Sequence, residues 1–185
     1  INSNLKTYFV IKSCAILSWF VPKKIITCAN STKNIHKKLG YCTKKFEVIF
    51  NGFEKSNSRE ISKDEFFNKI NLKKEFFNII SVGRYSPQKD HVNLLNALKH
   101  FRKNNFELNK VGINLILIGK NTDNILLDNQ WFDPKDLNLK VISISNTNNI
   151  YKYFKHMDLS ILSSSYGEAF PNVLAESMLC GTPCI

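Results

Sequence analysis

The sequence predicts an α/β fold built on a parallel sheet covered by helices, and three observations predict it. Short runs rich in Ile, Val, Leu and Phe alternate with stretches of helical periodicity, the order that joins parallel strands through helical crossovers. The composition, 43% hydrophobic and 22% charged, is that of a globular protein and excludes a disordered tail, a collagen-like rod and a multispan membrane protein. The length, 185 residues, suffices for one core, or one domain with part of another, but not for two complete enzyme domains.

Taken in order, Tyr8 to Val21 is the most apolar early stretch. It is shorter than the roughly 20 residues that span a bilayer and is interrupted by Lys12, so it reads as a buried helix or strand. The β-rich runs Ile25 to Ala29, Phe46 to Phe50, Asn78 to Val82, Ile113 to Ile118, Leu139 to Ile144 and Leu159 to Leu162 read as strands. Helices are expected at Ser31 to Leu39, Lys63 to Ile70, Asp90 to Lys103, Ile125 to Gln130, Ile150 to His156 and Pro171 to Cys180. Asp90 to Lys103 is the clearest: Leu94, Leu95, Leu98 and Phe101 share a face, and Lys99, Arg102 and Lys103 suit the C-terminal end of the dipole. The turn signal Asn51-Gly52 and the polar, aperiodic run Phe53 to Glu60 mark a linker. The expected organisation is therefore residues 1–52 as the tail of one α/β domain, 53–62 as linker, and 63–185 as most of a second. Starting at Ile1 and stopping at Gly181-Thr182-Pro183-Cys184-Ile185, as an apolar run begins, the chain reads as an internal fragment truncated at both ends.

With 26 Lys and Arg against 15 Asp and Glu, the net charge of +11 points to an anionic partner: nucleic acid, a lipid surface or a phosphorylated substrate. Five cysteines, an odd number spread thinly, favour a reducing compartment and read as small buried thiols. None forms a Cys-x-x-Cys pair or has a histidine at zinc-ligand spacing, so no metal site is expected.

In an open parallel sheet, ligands bind at the carboxyl ends of the strands, so the residues that follow each strand are the candidates. Three junctions stand out. After the third strand, Gly83 is followed by Arg84 and Lys89 and then a helix start; a guanidinium fork and a point charge beside helix amides suit a diphosphate, while two solvated surface cations are the plainer reading. The glycine patterns of a dinucleotide fold and of a P-loop are both missing. After the fourth strand, Gly119 permits a close ligand approach or merely a tight turn. After the last strand, a Ser-rich loop leads through Gly167 to Glu168, Ala169, Phe170 and Pro171, with Pro171 at a first helical position and the amides around Asn172 and Val173 facing an anion. Glu168 and Glu176 frame that helix start; a capping acid and a solvated helix face are their plainer readings.

At these residues the sequence resembles the retaining nucleotide-sugar glycosyltransferases of glycosyltransferase family 4, also called glycosyl transferases group 1. Their GT-B architecture has two Rossmann-like domains. The resemblance rests on a Glu-x7-Glu motif from Glu168 to Glu176, on Gly83-Arg84-x4-Lys89, on the buried strand ending at Gly119, and on Val48-Ile49-Phe50-Asn51-Gly52 at the domain junction. These motifs stand in family order over roughly residues 25–185. The resemblance implies a hexosyltransferase that moves a sugar from a nucleoside diphosphate sugar to a glycan or lipid-linked acceptor with retained configuration, in surface polysaccharide biosynthesis (lipopolysaccharide, capsule or exopolysaccharide). It implies that Arg84 and Lys89 grip the diphosphate and stabilise the leaving group, so that neither cofactor nor metal is needed. Glu168 would contact the donor sugar, Gly83, Gly119, Ala169, Phe170, Pro171, Asn172 and Val173 would line the donor site, and Glu176 would meet the ribose hydroxyls. Reaction on one face through an oxocarbenium-like state is implied, rather than a covalent intermediate on Glu168.

The sequence departs from the family's pattern in two places: Asp90 follows the motif lysine where the family often has glycine, and Phe50 precedes Asn51-Gly52 where it often has proline. Acceptor site and catalytic histidine belong to the family's N-terminal domain, so the fragment alone is expected to be inactive. His36, His91, His100 and His156 then read as surface histidines on helix faces and ends. The expected location is cytoplasmic, with Lys33, Lys37, Lys38, Lys44 and Lys45 available for peripheral contact with an anionic membrane, or simply forming a solvated basic face. Alternatives are a GT-B nucleotide-sugar epimerase, a relative that binds donor without turnover, and a basic nucleic-acid-binding module. The last lacks interleaved basic and aromatic residues and a recognition helix, so no nucleic-acid partner is expected; Phe66, Phe67, Phe76 and Phe77 read instead as core.

Overall fold

The structure is a computed structural model that describes residues 5–54, 61–104, 111–126 and 138–185. The expected helix Ile125 to Gln130 lies mostly outside these residues, as do positions 55–60 of the expected linker. The chain divides into two compact units: Ile1–Gly52 with Glu168–Phe170, and Phe53–Gly167 with Pro171–Ile185.

The first unit contains helix α1 (Leu5–Leu17), strand β1 (Ile25–Thr27), helix α2 (Asn30–Lys38) and strand β2 (Phe46–Val48). The two strands pair in parallel, Ile25 opposite Phe46 and Thr27 opposite Val48. The connection through α2 is thus a short βαβ crossover. The apolar stretch expected to be buried is a helix, but α1 buries only Ala15 within its span, and Tyr8, Phe9, Val10, Ile16 and Leu17 are exposed. Apolar residues surround this helix on every side, so one neighbouring pair of strands cannot cover them.

The second unit contains α3 (Lys63–Lys69), β3 (Phe77–Val82), α4 (His91–Asn104), β4 (Ile113–Ile118), β5 (Leu139–Ile144), α5 (Tyr151–Phe154), β6 (Leu159–Ser160) and α6 (Asn172–Leu179). Ser62 caps α3 by accepting a hydrogen bond from the Glu65 amide, 3.1 Å. All four strands are parallel, in the order β5-β4-β3-β6. After β3 the chain adds strands on one side, then returns to place β6 on the other, so the order reverses between β3 and β6. In an open parallel sheet of this kind a crevice for ligands lies at the carboxyl ends of the strands.

Alternation along the buried strands builds a core on each face. Ile80, Ile116 and Ile118 pack with Phe66 and Phe67 of α3 and Tyr153 and Phe154 of α5. Ile79, Leu115 and Leu117 pack on the other face with Leu94, Leu95 and Leu98 of α4. β4 is buried at every position, as a central parallel strand covered on both sides requires. Phe66 and Phe67 are core as expected, whereas Phe77 and Phe101 are exposed; both line an apolar hollow beside α4. All five cysteines are free thiols, and only Cys42 is fully buried; Cys14 is exposed.

Candidate functional site

The backbone of the β3 and β4 strand ends forms the floor of the crevice. Beyond the strands, the Gly83 amide donates to Ile118 O at 2.8 Å and the Tyr85 amide to Lys120 O at 2.9 Å, so the two exits stay paired. Gly119 N donates to Ile144 O at 2.9 Å, and Thr122 Oγ1 closes the turn by donating to Gly119 O at 2.8 Å. A Cβ on Gly119 would overlap the Gly83 carbonyl, so glycine is what lets these exits approach.

The loop from Gly83 to Asp90 lies over this floor. A Cβ on Gly83 would stand 3.2 Å from Cγ and Cδ of Lys89, so the lysine stem crosses that glycine. Arg84 is exposed beside it and Lys89 is half-buried. The Lys89 and Asp90 amides donate to Ser86 O at 3.0 and 3.3 Å, folding the loop into a turn before α4. Asp90 is held at φ +45°, a left-handed conformation in which glycine costs least, and the family's usual glycine there has this physical reason. Asp90 offsets the strain as a cap, its Oδ1 accepting from the Asn93 amide at 3.2 Å.

The loop after β6 is tied to the loop after β3. Ser163 Oγ donates to Lys89 O at 2.7 Å, the Ser165 amide to Gln88 O at 3.0 Å, and Ser165 Oγ to Pro87 O at 3.4 Å. Gly167, at φ +81°, then turns the chain where a Cβ would press on the Gln88 amide. Pro171 proves to be the N-cap of α6 rather than its first residue, and no side chain caps that helix. Glu168, Ala169 and Phe170 group with the first unit.

A cleft of ≈ 540 Å³ lies beyond the ends of β3, β4 and β5, against α6. It brings together three residues expected from sequence, Gly83, Gly119 and Glu176, which come from two strand ends and a helix. Arg84, Lys89, Glu168, Ala169, Phe170, Pro171, Asn172 and Val173 are not among its lining residues. The other lining residues were not anticipated as site residues: Val82, Ile118, Ile150, Lys120, Ser145, Asn146 and Thr147. The last three follow β5, so the rule applied to β3, β4 and β6 would have found them had it been extended one strand further. Their loop is folded by its own side chains: Asn146 Oδ1 accepts from the Thr147 amide at 2.8 Å and Thr147 Oγ1 from Asn149 N at 3.3 Å.

Burial pushes the Glu176 carboxyl above its ordinary range, and the Tyr151 phenol is raised by burial and then by the nearby Glu176 charge. Glu176 is therefore a half-buried acid at the rim of an apolar floor, not a solvated helix face. His91 is a correction as well: it is fully buried rather than on the surface, with Nδ1 lacking a hydrogen-bond partner. Burial, then the Lys89 charge, lower its pKa against an opposing pull from Asp90. His156 is half-buried, its ring 4.6 Å from that of Phe66.

A parallel sheet in the order β5-β4-β3-β6, covered by helices on both faces and with a glycine-floored cleft at its carboxyl ends, defines an α/β unit of GT-B type. The sequence profile of the family described as glycosyl transferases group 1 matches residues 62–185, and the chain belongs to that family. An Escherichia coli UDP-Gal:alpha-D-GlcNAc-diphosphoundecaprenol alpha-1,3-galactosyltransferase is 29% identical over 167 residues, 88% of this chain and 42% of that protein. An uncharacterized 41.2 kDa protein in the cps region of Klebsiella pneumoniae is 25% identical over 148 residues, 79% of this chain and 37% of the relative. Among solved structures, Anabaena HepE in complex with UDP and glucose superposes with a TM-score of 0.74 at 19% identity, covering 96% of this chain and 47% of that one. WaaG, a glycosyltransferase involved in lipopolysaccharide biosynthesis, gives 0.64 at 19% identity, covering 87% and 43%. The chain thus spans less than half the length of these relatives.

Proposed function

We propose that the protein is a retaining glycosyltransferase that takes a hexose from a UDP-sugar and passes it to a lipid-linked or glycan acceptor in surface polysaccharide biosynthesis. The observation that carries the reading is the cleft in which Gly83, Gly119 and Glu176 meet, with the Lys89 stem laid across Gly83. In this reading the nucleoside enters the cleft between Glu176 and the loop Ser145 to Thr147, and the Glu176 carboxylate accepts hydrogen bonds from the ribose hydroxyls. Gly83 and Gly119 keep the floor low enough for the backbone to approach the ligand. The diphosphate lies toward Arg84 and Lys89, which neutralise the charge that develops on it as the bond to the sugar breaks, a role that needs no metal. The amides at the start of α6, around Asn172 and Val173, face the same oxygens after Ala169, Phe170 and Pro171. Glu168 meets the donor sugar. Residues 1–52 belong to the acceptor-side domain, 53–62 to the linker and 63–185 to the donor domain.

The UDP preference is taken from HepE, whose structure holds UDP, and the lipid-linked acceptor from the galactosyltransferase relative. The test is transfer from a panel of UDP-hexoses to a lipid diphosphate acceptor, with the anomeric configuration of the product read by NMR. A retained configuration is expected. Glu168→Gln should cut turnover by about a hundredfold or more while leaving the melting temperature unchanged; an inverted product, or unchanged kinetics in Glu168→Gln, would contradict the proposal.

A further inference from the structure

Among the described residues that line the cleft, Lys120 is the one cation and Glu176 the one acid. No motif marks this lysine, which follows β4 directly after Gly119. Lys120 is exposed, and its ammonium forms no ion pair with another described residue. A cation that lines a cleft without a protein partner is available to an anionic ligand.

The backbone that presents Lys120 is held from the β3 side and from the β5 side. Its carbonyl accepts from the Tyr85 amide at 2.9 Å, and the Gly119 amide before it donates to Ile144 O at 2.9 Å. Thr122 is fully buried, and its hydroxyl closes the turn, 2.8 Å from Gly119 O and 2.7 Å from Ser143 Oγ. Asn121, directly after the lysine, is held in the left-handed region at φ +64°. The connection after β3 repeats the arrangement, with Lys89 directly before Asp90 at φ +45°. Of the three described non-glycine residues with positive φ, two therefore follow a lysine in the connections after β3 and β4. Such residues are uncommon and persist where the surrounding structure holds them, most often where a ligand is clamped.

We propose that Lys120 binds the inner phosphate of the nucleotide donor, the one attached to the ribose, and leaves the outer phosphate to Arg84 and Lys89. The Tyr85 amide ties the Lys120 backbone to the loop that bears Arg84, while the residue shares the cleft with Glu176 and Ser145 to Thr147. Lys120 thus stands between the cationic loop and the part of the cleft assigned to the nucleoside, where the inner phosphate has to lie. Arg84 and Lys89 do not line that cleft, so among its described lining side chains only Lys120 can offset the charge of this phosphate. The offset is needed because the Glu176 carboxylate shares the cleft and repels a second anion there. This role deepens the nucleotide reading of the cleft and rests on it.

The test titrates the full chain with uridine, UMP and UDP in EDTA, read by NMR shifts, with the melting temperature of each variant measured alongside. Lys120→Gln is expected to weaken UMP and UDP by the same factor, about tenfold or more, and to leave uridine affinity and the melting temperature unchanged. Lys120→Arg, which keeps the charge, should hold UMP and UDP within about threefold of the parent. Unchanged UMP affinity in Lys120→Gln, a loss confined to UDP, or an equal loss for uridine would overturn the assignment of Lys120 and leave the nucleotide reading standing. A parent chain that binds neither UMP nor UDP would overturn both.

Discussion

A methyl group at position 119 would collide with the carbonyl oxygen of Gly83, so glycine there sets the floor of the cleft. Gly119→Ala is expected to destabilise the second unit by about 3 kcal/mol, since backbone rather than a flexible side chain must move; urea denaturation would measure it. Glu176 shows the opposite balance. Its carboxyl is raised from the ordinary value of 4.5 by burial, so the folded protein holds that proton more tightly than the unfolded chain does. Stability is then lost as pH rises from about 4.5 through the higher folded value. Glu176→Gln should unfold at higher temperature than the parent at pH 7.5 and at the same temperature at pH 3.5, while binding UDP about tenfold to a hundredfold more weakly. A residue kept for structure would show no such split between stability and affinity. The buried His91 has the reverse sign: with a lowered pKa it contributes stability above pH 6.5 that is lost as pH falls through that value toward its folded pKa.

At the scale of elements, the two ends of the second sheet are held by different chemistry. At the carboxyl end, backbone pairing and serine hydroxyls join the loops. At the amino end, a side-chain network does so: Asp158 Oδ2 accepts from the Asn78 amide at 2.8 Å and from Asn78 Nδ2 at 2.9 Å, and Asn114 Nδ2 donates to Asn78 Oδ1 at 2.7 Å and to Lys73 O at 2.7 Å. These bonds connect β3, β4 and the entry to β6, and Asn78 and Asn114 are fully buried. Asn78→Ala should cost about 2 kcal/mol in chemical denaturation, because it removes the side-chain bonds to Asp158 Oδ2 and Asn114 Nδ2 from a buried site; a loss below about 0.5 kcal/mol would deny the network that role. Sequence periodicity located all six strands, because alternation of Ile and Leu on a doubly covered strand is a strong pattern. It could not find this network, since asparagines inside β-runs look like interruptions until the register places Asn78 opposite Asn114. Nor did it see that α1 would be exposed: an all-round apolar helix signals burial, and only the neighbouring elements decide whether burial is met. Of the cleft, Gly83, Gly119 and Glu176 were legible from motifs, whereas Ser145 to Thr147 went unread because the strand-end rule was not carried to β5, and Lys120 because a cation after a strand reads as solvated surface.

At the scale of the whole molecule, the charge is uneven: residues 1–52 carry eight of the eleven net positive charges, and residues 53–185 carry three and place Arg84 and Lys89 on the loop after β3. A nucleotide that binds only the folded second unit must stabilise it, by about 2.7 kcal/mol at a hundred times its dissociation constant. The most direct measurement is therefore calorimetric titration of the chain with UDP, GDP and ADP in EDTA, repeated on Arg84→Ala. The account predicts metal-independent binding of UDP in preference to the other two, weakened about tenfold or more in Arg84→Ala. A well-folded chain that binds none of the three, or binds UDP equally well without Arg84, would contradict it.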